Sequence, residues 1–367
     1  MSSLSDYASL RAFACVKKDN LYHNLAKIRT LHPEKKTIVM LKANGYGHGA
    51  GEIAKLLDGH CDYFGVASIE EGVELRQSGI YQTKIIIFSG FFNCSSIETI
   101  FEHQLIPMIH SPYQIDYLSA YFKQPFAEIW LKANSGMNRL GLNEAEFNRC
   151  YQHLSQKTDK PISALTHLAE SESVDQHFTR KQMDYFQRLV QNKALKHISI
   201  FNSAAALSQP DYPNDDTIRI GLALYGINTA PSAKCQISLK PAMQLHSHII
   251  AVQKIAAGDS VGYNRRYIAD KPRKIAIISI GYGDGYPQMM PNGTPVVIDN
   301  KQYPSVGKVS MDLMAVDITE APETVGISTP VTLFGEALPL EVLTQGRNLS
   351  PYAMLTAISP RVKRVYI

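Results

Sequence analysis

Apolar runs recur through the first two thirds of the chain, near residues 36–42, 63–67, 84–89, 105–109, 127–133, 162–168, 197–202 and 217–220. Between them lie segments whose apolar residues return at helical spacing, such as Asn20 to Leu31, Ile69 to Gln77 and Asp175 to Gln191. Alternating strand and helix patterns imply parallel pairing, and eight such units are what a closed barrel requires. The predicted fold class is α/β, an N-terminal (β/α)8 TIM-type barrel followed by a mainly β domain, with a doubly wound open sheet as the competing arrangement. The pattern changes around Asn228-Thr229-Ala230-Pro231-Ser232. Beyond it come short runs at 242–256, 273–280, 295–299, 313–317, 331–334 and 361–367, separated by turn signals such as Gly283-Asp284-Gly285 and Pro291-Asn292-Gly293. The predicted division is a barrel over 11–235 and a mainly β domain over 236–367, with residues 1–10 as candidates to join the latter.

Composition narrows the class. With 367 residues and a formal net charge of +4, the chain is ordinary for a globular protein of two domains. Its Lys and Arg residues form no block or aromatic-interleaved stripe of the kind nucleic acid requires. No apolar stretch reaches a membrane span, and Met1 to Tyr7 lacks the apolar core of a signal peptide. The five cysteines, Cys15, Cys61, Cys94, Cys150 and Cys235, are dispersed without a CxxC pair. They read as reduced cytosolic thiols with no metal site, so a soluble cytoplasmic location is expected.

The unusual polar residues fall at the carboxyl ends of the predicted strands, where barrel enzymes place their chemistry. Lys42 closes the run Thr37-Ile38-Val39-Met40-Leu41, and the segment Asn134 to Arg139 follows the fifth strand. His167 ends the sixth, Asn202-Ser203 the seventh, and Arg219-Ile220-Gly221 the eighth. A lysine at a strand end either snorkels to water or acts as a nucleophile through a neutral amine. Small residues after strands seven and eight, Ser203-Ala204-Ala205-Ala206 and Gly221-Leu222, have the composition of a barrel phosphate grip. A Schiff-base lysine facing a phosphate site points to pyridoxal phosphate. The string Gly45-Tyr46-Gly47-His48-Gly49 has the wrong spacing for a dinucleotide fingerprint.

Over nearly its whole length the chain resembles the alanine racemases, which have a fold-type III pyridoxal phosphate architecture. The resemblance is carried by Val39 to Gly49, Lys132 to Gly141, Thr166-His167-Leu168-Ala169, Asn202-Ser203-Ala204, Arg219 to Gly226, Val261-Gly262-Tyr263, Gly281 to Tyr286, Val309-Ser310-Met311-Asp312 and Arg361 to Tyr366. It implies a two-base racemase that interconverts L- and D-alanine and supplies D-alanine for peptidoglycan. Lys42 would hold the cofactor and act as one base. Tyr263 of the partner subunit would be the other, which makes the enzyme a homodimer with a shared active site. His167 and Arg219 would support that tyrosine, Arg219 also meeting the pyridine nitrogen. Arg139 and the Met311 backbone would bind the substrate carboxylate, with Lys132 as a candidate carbamylated lysine orienting Arg139. Tyr46, Asn202, Ser203, Gly221, Leu222 and Tyr352 would complete the cofactor site, and Tyr263, Tyr282 and Tyr352 would narrow the entrance. The chain departs from the family pattern at Ile220, Asn264, Gln288, Lys308 and Ala353, where proline, glycine, arginine, arginine and glutamate are common. Three other readings stay open: a fold-type III decarboxylase, expected to show a carboxylate instead of Arg219; a single-domain cofactor carrier, which would lack Tyr263; and a racemase for larger amino acids.

Overall fold

In the computed structural model the described residues are Tyr7, 9–123, 127–208, Tyr212, 215–230 and 237–367. The expected domain boundary at 235/236, Cys235 and most of residues 1–8 lie outside them. The chain forms two compact units. One comprises 24–224 and 228–239, the other 1–23, 225–227 and 240–367.

The first unit is a (β/α)8 barrel. Its strands are Lys36–Met40, Tyr63–Val66, Lys84–Ile87, Leu105–Ile109, Ile129–Lys132, Ile162–Leu165, Ile198–Ser199 and Thr217–Ile220. Each pairs in parallel with its sequence neighbour through the seventh strand, and the first also pairs with the eighth, Ile38 opposite Arg219. The seam between the seventh and eighth strands is closed by Asp216 N–H to Ile198 O at 3.1 Å and Arg219 N–H to Phe201 O at 2.9 Å. A sheet closed in this way has no edges, so the open doubly wound alternative does not apply. Most strand residues are buried, which is why these segments read as continuous apolar runs with little alternation.

The amino-terminal end of the barrel is tied by a buried carboxylate. Glu128 accepts from Trp130 Nε1 at 2.9 Å and from Lys196 Nζ, with Lys84 Nζ at 3.9 Å. Burial opposes its ionisation, but hydrogen bonds from Lys196, Trp130 and Tyr63 hold its pKa below the ordinary glutamate value. A depressed carboxylate pKa adds stability above the unfolded-state value, and that stability is lost as pH falls through the folded one. Glu128→Ala is therefore expected to cost about 3 kcal/mol at neutral pH. The gap from the parent should narrow in acid, below the ordinary glutamate range. Urea midpoints at neutral and acid pH check both the size and the sign.

The second unit is an antiparallel β-barrel. Its strands run Arg273–Ile278, Met314–Asp317, Lys301–Val306, Pro295–Ile298, Pro330–Phe334 and Met243–Ile255, and the last pairs back onto the first. The long strand Met243–Ile255 closes the ring because its first half pairs with Pro330–Phe334 and its second with Arg273–Ile278. The strand Ala12–Val16, at the head of the segment expected to form the first barrel, pairs with Met243–Ser247 antiparallel and with Lys363–Tyr366 in parallel. No helix among the described residues is long and apolar enough to cross a membrane.

Candidate active site

The first barrel strand ends at Met40, and two residues later the chain enters an unusual turn. Ala43, Asn44, Gly45, Tyr46 and Gly47 all have positive φ, between 51° and 79°. Left-handed residues cost roughly 1–2 kcal/mol each when they carry a Cβ, so Ala43 and Tyr46 hold real strain, while asparagine at 44 tolerates the conformation better. Local bonds offset it. Gly45 N–H reaches Leu41 O at 2.8 Å, Gly47 N–H reaches Ala43 O at 3.0 Å, and Asn44 Oδ1 accepts from Ala50 N–H at 2.9 Å. The carboxylate of Glu71, on the helix Ile69–Gln77, accepts from Ala43 N–H at 2.7 Å and from Ala67 N–H at 2.7 Å. This turn sets the half-buried Lys42 at the barrel mouth and folds Tyr46 inward, 5% exposed.

Tyr46 reaches toward Gly221, just after the eighth strand, and Gly221 meets Ser203, beyond the seventh. Gly221 N–H donates to Ser203 Oγ at 2.8 Å. A Cβ on Gly221 would lie 2.7 Å from Tyr46 Oη and 3.7 Å from Ser203 Oγ, so only glycine leaves this cradle open. Asn202 steadies the segment by accepting from Ala205 N–H at 3.0 Å and from Ser171 Oγ at 2.8 Å. Leu222 is buried beside Gly221 in sequence.

Arg219 is buried deep in the barrel. It donates to Ser199 Oγ at 2.7 Å, Thr166 O at 2.8 Å, Ile200 O at 3.1 Å and His167 Nδ1 at 3.3 Å. Its Nε–H makes no hydrogen bond to a described residue. Because guanidinium only donates, His167 Nδ1 must accept, which leaves the imidazole proton on Nε2. Burial, followed by Arg219, Lys132, Arg139 and Lys42, pushes the His167 pKa down to about 2, so the ring is neutral at physiological pH.

Lys132, the last residue of the fifth strand, is 7% exposed. Burial, then the charges of Arg139, Arg219 and Lys42, lower its pKa to about 8. Lys42 is also lowered, by burial and then by Arg139, with Glu71 acting in the opposite sense. Arg139 itself is exposed, in a loop closed by Leu142 N–H to Lys132 O at 2.8 Å and Asn134 N–H to Leu142 O at 2.9 Å. Gly141 permits that closure, since a Cβ there would sit 2.7 Å from Asn134 N. The barrel mouth thus gathers Lys42, Lys132, Arg139 and Arg219 around a neutral His167. Such a cluster demands anions.

Some positioning groups carried no signal in the sequence pattern. Gln182, fully buried on the helix His177–Val190, accepts from Ala169 N–H at 2.9 Å and donates to His167 O and Ser135 Oγ, each at 3.3 Å. It ties the loop carrying His167 to the loop carrying Arg139. Glu71 lies within a helix that the spacing predicts, yet nothing in that spacing marks its reach back to Ala43.

The remaining sequence-predicted site residues lie on the second unit. Tyr263 opens a single turn and is 66% exposed, and Tyr282, Met311 and Tyr352 are exposed too. Asn264, where the family commonly has glycine, adopts φ 57°, a conformation asparagine tolerates better than most residues. The loops carrying Tyr282 and Met311 are locked together by Tyr282 N–H to Ser310 O at 3.0 Å and Gly283 N–H to Met311 O at 2.8 Å. Buried Asp284 accepts from Arg361 Nε at 2.7 Å and from Arg11, and Arg361 also pairs with Asp312. The order of residues in the motifs Gly283-Asp284-Gly285 and Met311-Asp312 says nothing of this bracing.

The fold and the mouth together define a (β/α)8-barrel enzyme with a half-buried lysine, its pKa lowered, among other cations. Residues 16–229 match the family described as alanine racemase, N-terminal domain, and residues 242–366 match alanine racemase, C-terminal domain. An alanine racemase of Chromohalobacter salexigens is 37% identical over 356 residues, spanning 96% of this chain and 97% of its own. One from Xanthomonas campestris pv. campestris is 37% identical over 357 residues, spanning 97% and 98%. Among solved structures, the biosynthetic alanine racemase of Pseudomonas aeruginosa superposes with a TM-score of 0.91 at 31% identity, covering 98% of this chain and 99% of that one. The alanine racemase of Bartonella henselae with covalently bound pyridoxal phosphate gives a TM-score of 0.89 at 28% identity, covering 97% and 99%. The chain belongs to the alanine racemase family.

Proposed function

We propose that the protein is a pyridoxal-phosphate-dependent racemase that interconverts L- and D-alanine by two bases on opposite faces, supplying D-alanine for peptidoglycan in the cytoplasm. The carrying observation is the cationic mouth, with its pKa-lowered Lys42, next to the open cradle of Tyr46, Ser203 and Gly221. The residues present fit the cofactor. Hydroxyls and a glycine-lined gap suit a phosphate, and the unpartnered Nε–H of buried Arg219 suits the lone pair of a pyridine nitrogen. Lys42 would hold the group covalently. Tyr46, Asn202, Ser203, Gly221 and Leu222 would grip its phosphate, with Tyr352 completing the site.

When bound, pyridoxal phosphate acts as an electron sink that makes the alanine Cα–H acidic. Inversion needs a proton removed from one face and another delivered to the opposite face. Lys42, whose lowered pKa raises its free-amine fraction, serves one face. Tyr263 of the partner subunit serves the other, in a homodimer whose two sites are each built from both chains. A tyrosine is a weak base at neutral pH unless its phenolate is favoured. His167 favours it by hydrogen bonding through Nε2–H, its ring held in the right tautomer by Arg219. Arg139 and the Met311 N–H bind the substrate carboxylate, and Tyr282 narrows the pocket toward a methyl side chain. Lys132, partly neutral at physiological pH, attacks CO2 through its amine and releases a proton, and the resulting carbamate gives Arg139 an anionic partner.

A carboxylate beside the pyridine nitrogen would keep it protonated and open routes to decarboxylation. Arg219 instead favours reversible proton transfer alone, which supports racemase over decarboxylase. The test is incubation of the cofactor-supplemented protein with L-alanine in D2O. D-Alanine carrying deuterium at Cα, with the carboxylate retained, is the expected product. Cofactor uptake with no deuterated D-alanine would overturn the reading. Gly221→Ala is expected to weaken pyridoxal phosphate binding roughly 10-fold or more, because its Cβ fills the cradle. Equilibrium dialysis of the variant checks that loss, with circular dichroism showing that the fold is kept.

A further inference from the structure

The carboxylate of Glu71 bridges two backbone segments of the barrel. Its two oxygens accept from two backbone N–H groups, Ala43 and Ala67, both at 2.7 Å. Ala43 directly follows Lys42 and begins the left-handed turn, and Ala67 directly follows the second barrel strand. The helix that carries Glu71 is capped by Ser68, whose Oγ accepts from Glu71 N–H at 3.4 Å, so the carboxylate projects from a fixed first turn. The strained turn is thus pinned at its origin to a neighbouring strand.

Charge adds a second observation. The groups that act on the Lys42 amine are Arg139 from the loop after the fifth strand, Arg219 from the eighth strand, and Glu71. Lys132 and His167 respond to Lys42 in turn. Glu71 is the anion among them. The others are cationic or neutral, so removing Glu71 leaves Lys42 facing positive charge alone.

We infer that Glu71 is a positioning residue for Lys42: its carboxylate pins the left-handed turn through Ala43 and supplies the negative charge that balances the cationic mouth around the amine. The inference rests on the role of Lys42 proposed above. The carboxylate's two backbone contacts, Ala43 and Ala67, make its effect on the site one exerted through the lysine. Glutamine at this position keeps the length but loses the charge, and its amide NH2 would face one of two N–H donors. Aspartate keeps the charge but is one methylene too short to span both donors.

The experiment compares the full-length parent, Glu71→Gln and Glu71→Asp, each treated with hydroxylamine and dialysed to free the lysine. Brief pulses of trinitrobenzenesulfonate across a pH series, with mass spectrometry of the Lys42 peptide, report the amine's titration and its accessibility. In Glu71→Gln the labelling profile should shift to lower pH, so that below the parental midpoint Lys42 reacts roughly two- to tenfold faster. In Glu71→Asp the midpoint should stay near the parental one, while the plateau rate rises because the released turn exposes the amine. A Glu71→Gln protein with parental circular dichroism and melting temperature and an unchanged Lys42 profile overturns the inference. If that variant does not fold, Glu71→Asp decides: a raised plateau supports the inference, and a wholly parental profile overturns it. A parent that takes up no pyridoxal phosphate would overturn the functional reading, yet the labelling profiles would still settle Glu71.

Discussion

Lys42→Ala is expected to lower racemisation roughly 10⁴–10⁶-fold, the loss typical of removing a group on which a whole reaction depends. The same variant should lose its covalent hold on pyridoxal phosphate. Borohydride reduction would then leave no cofactor mass on the peptide spanning Lys42, and dialysis would strip the visible absorbance. The size follows from position. Lys42 sits at the mouth where burial and Arg139 lower its pKa, which raises the share of neutral amine above that of an ordinary lysine. Lys42→Arg separates charge from nucleophilicity, because a guanidinium keeps the positive charge and does not give up its proton. It should be as inactive as the alanine variant while preserving the electrostatics felt by Lys132 and His167. Residual turnover within tenfold of the parent in either variant would remove Lys42 from the chemistry.

The barrel was legible because its strands are buried on both faces and its helices obey one apolar period. The helix predicted over Ile69 to Gln77 is observed with those bounds, fixed by its Ser68 cap. The seventh strand is shorter than its apolar run over 197–202, ending at Ser199. There Asp215 Oδ1 accepts from Ile200 N–H at 2.7 Å, so a side chain replaces the ladder. The strand Lys301–Val306 escaped the pattern because Lys301, Gln302 and Pro304 interrupt its apolar positions. Ala12–Val16 escaped because its partners, Met243–Ser247 and Lys363–Tyr366, are far away in sequence. At the site, a lysine ending an apolar run stood out in the sequence. The left-handed turn after it did not, since Ala43 and Tyr46 have no local preference for it. Nor did the hold of Glu71 on Ala43 N–H, which depends on where a neighbouring helix delivers one carboxylate.

Tyr263→Phe is expected to lose roughly 10²–10⁴-fold in turnover, the usual contribution of a positioned general acid–base, while retaining the cofactor. Phenylalanine keeps the ring and removes only the hydroxyl proposed to exchange the proton. The loss should therefore fall on kcat in both directions, and deuterium washout from one enantiomer should outlast racemisation, because Lys42 can still exchange its own face. If Tyr263 reaches a site on the partner subunit, mixing provides a stronger test than either variant alone. Combine Lys42→Ala and Tyr263→Phe chains in equal amounts and allow their subunits to exchange. Random pairing makes half of the dimers mixed, and each mixed dimer holds one site with an intact Lys42 facing an intact Tyr263. Activity should recover to about one quarter of the parental value, although both parents of the mixture are nearly inactive. Recovery requires that the two bases come from different chains; if each site took both from one chain, no pairing could restore them.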